Sequence, residues 1–169
     1  MKYSSAEAAK VLRKLNEDQA ALKEKEDKSS VFVAALEEDV DSVRPAYSYE
    51  EVNKKLEELE RKVRIVKHAI NVFNTTTEVP GFDMTVDQML VYIPQLSEEK
   101  RRLTRMAARL PKERCNSSGY GTKTIVEYQY ANYDIEQAEK DLTEVSDRLA
   151  RAQTALDVVN NTPAIELKL

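Results

Sequence analysis

Residues 49–74 read YEEVNKKLEELERKVRIVKHAINVFN, and within them Val52, Leu56, Leu59, Val63, Val66, Ile70 and Phe73 recur at steps of three or four. That spacing gathers the apolar side chains into one stripe along a helix, where a strand would alternate them. Kept up for about 25 residues, roughly 40 Å, the stripe needs a second helix laid against it.

Three more stretches follow the same rule. The first runs from Ser5 to Asp27, with Ala8, Leu12, Leu15 and Leu22 on its stripe. The third runs from Val86 to Leu110 through Met89, Leu90, Ile93, Leu96, Leu103, Met106 and Leu110. The fourth carries Ile135, Ala138, Leu142, Val145, Leu149, Ala152, Leu156 and Val159. Ser4 with Glu7, and Thr85 with Gln88, predict capping boxes that start the first and third helices. Asp134 suits the start of the fourth, where its charge meets the positive helix end. Asn74 and Asn160 predict the ends of the second and fourth, since Asn tolerates the left-handed closing conformation. Pro94 lies deep in the third segment and predicts a kink or break.

Two stretches read differently. Ser30–Leu36 and Thr124–Tyr130 are rich in β-branched and aromatic residues, which predicts two short strands paired antiparallel on the helices. Loops flank them at 37–48 and 111–123. The halves of the chain then correspond. Shifting by 86 positions places Leu56 on Leu142, Val63 on Leu149, Ala69 on Ala155, Val72 on Val158, Asn74 on Asn160 and Thr76 on Thr162. Shifting by 81 places Ser4 on Thr85, Leu12 on Ile93, Leu15 on Leu96 and Leu22 on Leu103. The expected fold is mainly α: two antiparallel helical hairpins, pseudo-duplicated as helix–strand–helix, with a small two-stranded β element. The expected domain is a single helical bundle over 1–169, with pseudo-repeats at 4–80 and 85–167.

Composition fits this reading. The 169 residues are 33% charged and 41% apolar, with 3 Gly and 5 Pro, a balance that favours long helices over sheet. A net charge of −4 argues against a whole-molecule nucleic-acid binder, leaving local patches to be weighed. Cys115 is the only cysteine, so no internal disulfide forms. Early charged residues leave no apolar signal-peptide stretch, and no run of 18 apolar residues predicts a transmembrane segment, so the cytoplasm is the expected address.

Reactive chemistry is sparse. His68 is the only histidine, without a second for a metal cage, and reads as a rim residue. Cys115 has Lys112 and Arg114 beside it but no nearby base, and reads as an incidental thiol. Gly119-Tyr120-Gly121-Thr122-Lys123 lacks the Walker spacing and reads as a plain turn. No catalytic residue, metal ligand or cofactor site is expected, and the chain reads as no enzyme. Lys100, Arg101, Arg102, Arg105, Arg109, Lys112 and Arg114 form the densest charge feature. Arg101, Arg105 and Arg109 share a helix face at four-residue steps, with the acidic run Glu57, Glu58 and Glu60 available to neutralise it. An ion-paired or solvated face is the plain reading. As a possible partner-binding set, Lys100, Arg101, Arg105, Arg109 and Lys112 could instead meet nucleic acid or an acidic partner. Tyr47, Tyr49, Tyr128, Tyr130 and Tyr133 fall near the expected strands, covering the bundle end or an interface.

Tyr133-Asp134-Ile135, Glu144-Val145-Ser146, Asn160-Asn161-Thr162 and the Glu166-Leu167 ending resemble the septicolysin-like family of small bacterial helical proteins. Ile70-Asn71 followed by Asn74-Thr75 is similar to that family's second-helix ending, and Gly81 with Thr85 to the start of its third helix. The likeness extends loosely from Ser4 to Leu167 and rests mostly on caps and seams. It implies a helical-hairpin bundle that assembles into rings or other homo-oligomers, and it carries over no catalytic residues. The family's name adds a membrane-active, haemolysin-like alternative. The leading expectation is a non-catalytic structural or interaction protein that self-associates through helix faces, as a homo-oligomer or part of a larger assembly.

Overall fold

Ser4 opens the first helix by accepting a hydrogen bond from the Glu7 amide at 3.2 Å, while the Glu7 carboxylate accepts from the Ser4 amide at 2.8 Å. Thr85 and Gln88 repeat the arrangement, with the Gln88 side chain accepting from the Thr85 amide at 2.9 Å. Both capping boxes stand as expected. Asp134 also caps as expected, accepting from the Gln137 amide at 3.2 Å.

The computed structural model describes residues 2–115 and 126–168. The Gly119–Lys123 turn lies outside the described residues, as do Thr124 and Ile125 of the second expected strand. The fold is mainly α: α1 (Ser5–Ser29), α2 (Val40–Val43), α3 (Tyr49–Thr76), α4 (Val86–Ala107) and α5 (Ile135–Asn161). The strands are β1 (Lys2–Tyr3), β2 (Glu78–Val79), β3 (Met84–Thr85), β4 (Lys112–Arg114), β5 (Tyr128–Tyr130) and β6 (Ile165–Glu166). They pair antiparallel as β1–β6, β2–β3 and β4–β5, three ladders among the described residues where one was expected.

The chain gathers into two compact units, Met1–Thr77 with Val158–Leu169, and Glu78–Asp157. In the first, α1 lies antiparallel along α3. Gln19 donates to Glu60 at 3.0 Å near mid-length, and the Tyr47 hydroxyl donates to Glu26 at 2.8 Å near the loop. At the other end β6 pairs with β1, and Ala8, Val66, Phe73 and Ile165 are buried. In the second unit β2 and β3 form a hairpin at the start of α4, with Val79, Val86, Met89, Leu96 and Leu103 buried. The hairpin turns through Gly81 and Asp83 at φ of 82° and 45°, left-handed backbone that Gly and Asp tolerate.

The two ladders have equivalent registers. Tyr3 faces Ile165 in one and Met84 faces Val79 in the other. Met84 and Val79 are Tyr3 and Ile165 under the shifts of 81 and 86 read from the sequence. Buried Ala8 matches buried Met89, and buried Val66 matches buried Ala152.

Several expectations are corrected. Ser30–Leu36 forms no strand; Val31, Phe32, Val33 and Leu36 are exposed in an irregular loop, and Tyr128–Tyr130 pairs with Lys112–Arg114 instead. A strand needs a partner, and β4 has taken it. Asn74 and Asn160 close no helix: α3 runs to Thr76 and α5 to Asn161. Threonine hydroxyls serve the last-turn carbonyls, Thr76 donating to Val72 at 2.7 Å and Thr162 to Val158 at 2.8 Å. The helix α4 runs unbroken through Pro94. Pro94 and Leu90 are exposed, so solvent reaches the Leu90 carbonyl that the proline leaves without an amide donor. Leu90 and Leu110, expected in the seam, are exposed.

Candidate interaction surface

The second unit's loop end is built from the β4–β5 hairpin. After α4, the Arg109 amide bonds the Met106 carbonyl at 3.2 Å and the chain turns through Pro111 into β4. Bonds from Ala131 to Pro111 at 3.2 Å and from Cys115 to Glu127 at 3.0 Å extend the ladder beyond both ends of the strands. Lys112 faces Tyr130 and Arg114 faces Tyr128. Residues opposite one another share a face, so Lys112, Arg114, Tyr128 and Tyr130 line one side and Glu113 and Gln129 the other. All six are exposed. The Lys112 ammonium lies 4.2 Å from the Tyr128 ring centroid and 5.4 Å from that of Tyr130, a cation–π arrangement. Tyr133 anchors the return by donating to the Met106 carbonyl at 2.8 Å.

The expected partner-binding residues divide between two elements. Lys100, Arg101 and Arg105 lie on α4, Arg109 lies past its end, and Lys112 lies on β4. The shared helix face therefore stops at Arg105, because α4 ends at Ala107. All five are exposed. Arg101 pairs with Glu98 at 2.7 Å, which holds the Glu98 carboxyl below the usual carboxylate range and raises the guanidinium. Among the described residues no ion pair engages Lys100, Arg105, Arg109, Lys112 or Arg114. Glu58 pairs locally with Lys62 at 2.6 Å and Glu60 accepts from Gln19, so each has a partner within the first unit. The sequence showed the cations but missed that Arg114, Tyr128 and Tyr130 share Lys112's surface. Alternation of Lys112 with Arg114, and of Tyr128 with Tyr130, was the available signal.

The first unit's loop end differs in structure and in charge sign. Residues 30–48 hold only the single-turn α2, capped when Asp39 accepts from the Asp41 amide at 3.2 Å. Val31 is 76%, Val33 93% and Leu36 102% exposed, against 0% for Met89. Arg44 pairs with Asp41 at 3.1 Å and lies 5.9 Å from the Phe32 ring centroid. Residues 30–48 carry Glu37, Glu38, Asp39 and Asp41 against Arg44, a net charge of −3. The described residues of 105–130 carry Arg105, Arg109, Lys112 and Arg114 against Glu113 and Glu127, a net charge of +2.

The remaining candidates are grooves and lone groups. His68 is exposed on α3 and borders a groove of about 400 Å³ with Val72, Thr76 and Glu166. The second unit has a groove of about 810 Å³ bordered by Phe82, Asp83, Tyr92, Arg148, Arg151 and Thr154. Thr154 is His68 under the 86-residue shift, but most of the residues lining the two grooves do not correspond. No Ser, Cys or His lines the larger groove. Cys115 is exposed at the end of β4. Of the tyrosines, Tyr47 and Tyr133 are half-buried pins, while Tyr49, Tyr128 and Tyr130 are exposed.

No protein-family model matches the chain, and no curated protein does. Among solved structures, the chain is similar to a functionally unknown conserved protein from Corynebacterium diphtheriae. The two are 18% identical, with a TM-score of 0.55, over 98% of this chain and 100% of the other. That likeness shows the fold. No helix of the described residues is long and apolar enough to cross a membrane.

Proposed function

We propose that this chain is a non-catalytic interaction protein that self-associates and serves as a piece of a larger assembly. The observation that carries the reading is the run of uncovered apolar side chains at 31–36, at the end of the first unit away from its buried residues. Apolar side chains gathered on a surface mark interaction sites far more than scattered ones do. Val72 and Val158, equivalent positions on α3 and α5, and Leu90 and Val91 on α4 add smaller uncovered spots on helix faces. The resemblance to septicolysin-like proteins implies homo-oligomers and supports the same reading. Light scattering coupled to size exclusion tests it: a mass well above the single-chain 19.3 kDa is expected at tens of micromolar, and a strict monomer there sinks it.

One observation favours a second reading, binding of single-stranded nucleic acid. Two cations and two tyrosines on one hairpin face can meet phosphates and stack bases. Retention on such a strand should fall steeply with salt, and reversal of Lys112 and Arg114 should abolish it. Equal retention at low and high salt removes this reading.

A further inference from the structure

The two loop ends are complementary in the two properties that drive protein docking. One presents Val31, Val33 and Leu36 bare beside Glu37 and Glu38, with a net charge of −3 over 30–48. The other presents Tyr128 and Tyr130 beside Lys112 and Arg114, with +2 over the described residues of 105–130 and Glu113 on the opposite face. Each set is exposed in the single chain. Tyrosine and arginine are the side chains that most often anchor interfaces, and an uncovered Leu or Val supplies the apolar surface such anchors cover. Opposed charge around the contact steers encounter and fixes orientation.

We infer that copies of the chain associate head to tail, the acidic loop at 31–41 of one copy docking on the β4–β5 hairpin of the next. This rests on the self-association reading and names the surfaces it uses. Because the two patches are unlike, each can meet its complement on another copy, reciprocally in a closed dimer or successively in a larger ring or a filament.

The test is a charge swap on the full chain, read by light scattering, with circular dichroism confirming unchanged helix content. One variant carries Glu37→Lys and Glu38→Lys; the other carries Lys112→Glu and Arg114→Glu. All four side chains are exposed, so both variants should fold as the parent does. The parent should assemble at low salt and weaken by roughly tenfold or more as salt screens the charges. Each variant alone should run as a single chain. Mixed one to one, they should reassemble, because each reversed patch now meets its complement on the other variant. If the parent assembles and both variants assemble equally well, the head-to-tail contact is wrong while self-association stands. If the parent stays monomeric, self-association fails and this contact with it. Variants that lose assembly without regaining it on mixing also overturn the pairing of these patches.

Discussion

The strand-ladder ends of the two units correspond in position and register, and their loop ends do not. At the ladder ends, Ala8 matches Met89, Val66 matches Ala152 and Val79 matches Ile165, each pair nearly free of solvent. The caps Ser4 and Thr85 and the closing hydroxyls of Thr76 and Thr162 correspond as well. At the loop ends nothing corresponds. One is an irregular acidic loop with a single helical turn, the other a basic hairpin with paired tyrosines. A buried position is closed to water, so the matched positions stay apolar even where their volumes differ, as between Ala8 and Met89. Exposed positions carry no such constraint, and here they differ in charge sign and in secondary structure.

The contrast predicts a graded set of outcomes. Met89→Ala removes a fully buried side chain and should lower stability by about 2–5 kcal/mol in urea unfolding. Leu36→Ser at the loop end should stay within about 0.5 kcal/mol. Equal losses at the two positions would end the comparison. Gly81→Ala tests the ladder hairpin itself. Its left-handed φ of 82° leaves room for a methyl group but strains any L side chain, so a loss of about 1–2 kcal/mol is expected. An unchanged midpoint would mean that the turn relaxes freely. Ser4→Ala and Thr85→Ala should each lose about 1 kcal/mol and lower the thermal midpoint alike, sharpening the equivalence of the two helix starts. A loss confined to one of them would break it.

The smallest effect is electrostatic. Lys62 beside Glu58, and Arg101 beside Glu98, hold those carboxyls below the ordinary Glu value of 4.5. A carboxyl lowered on folding binds fewer protons folded than unfolded near that pH. Its contribution is therefore complete above 4.5 and drains away as acid passes through the lowered value. Both groups are exposed, so the change is slight. Carboxyl NMR titration should find Glu58 and Glu98 among the last glutamates to protonate, and an ordinary midpoint for either would contradict the pairing.

Sequence periodicity placed four long helices, and the two capping boxes came directly from hydroxyl-to-carboxamide or hydroxyl-to-carboxylate spacing. The caps shared by the two halves were legible too, because they recur at fixed shifts. The β1–β6 and β2–β3 ladders were not. Two residues per strand carry no alternation, and Lys2–Tyr3 finds its partner only at the far end of the chain. Ser30–Leu36 misled for the opposite reason: its composition suits a strand, but no strand among the described residues pairs with it. At the candidate surface, the cations from Lys100 to Lys112 were visible as charge. Their division between a helix and a hairpin, and the tyrosines on the same face, came with the ladder register.

By itself the sequence determined whatever depends on neighbours three or four residues away: helix location, helix starts and the apolar stripe. Tertiary structure decided strand pairing, which stripe residues are bare and which charges share a surface. These depend on groups distant along the chain, and local spacing holds no record of which distant backbone will offer a free carbonyl or which side chain will be left facing water.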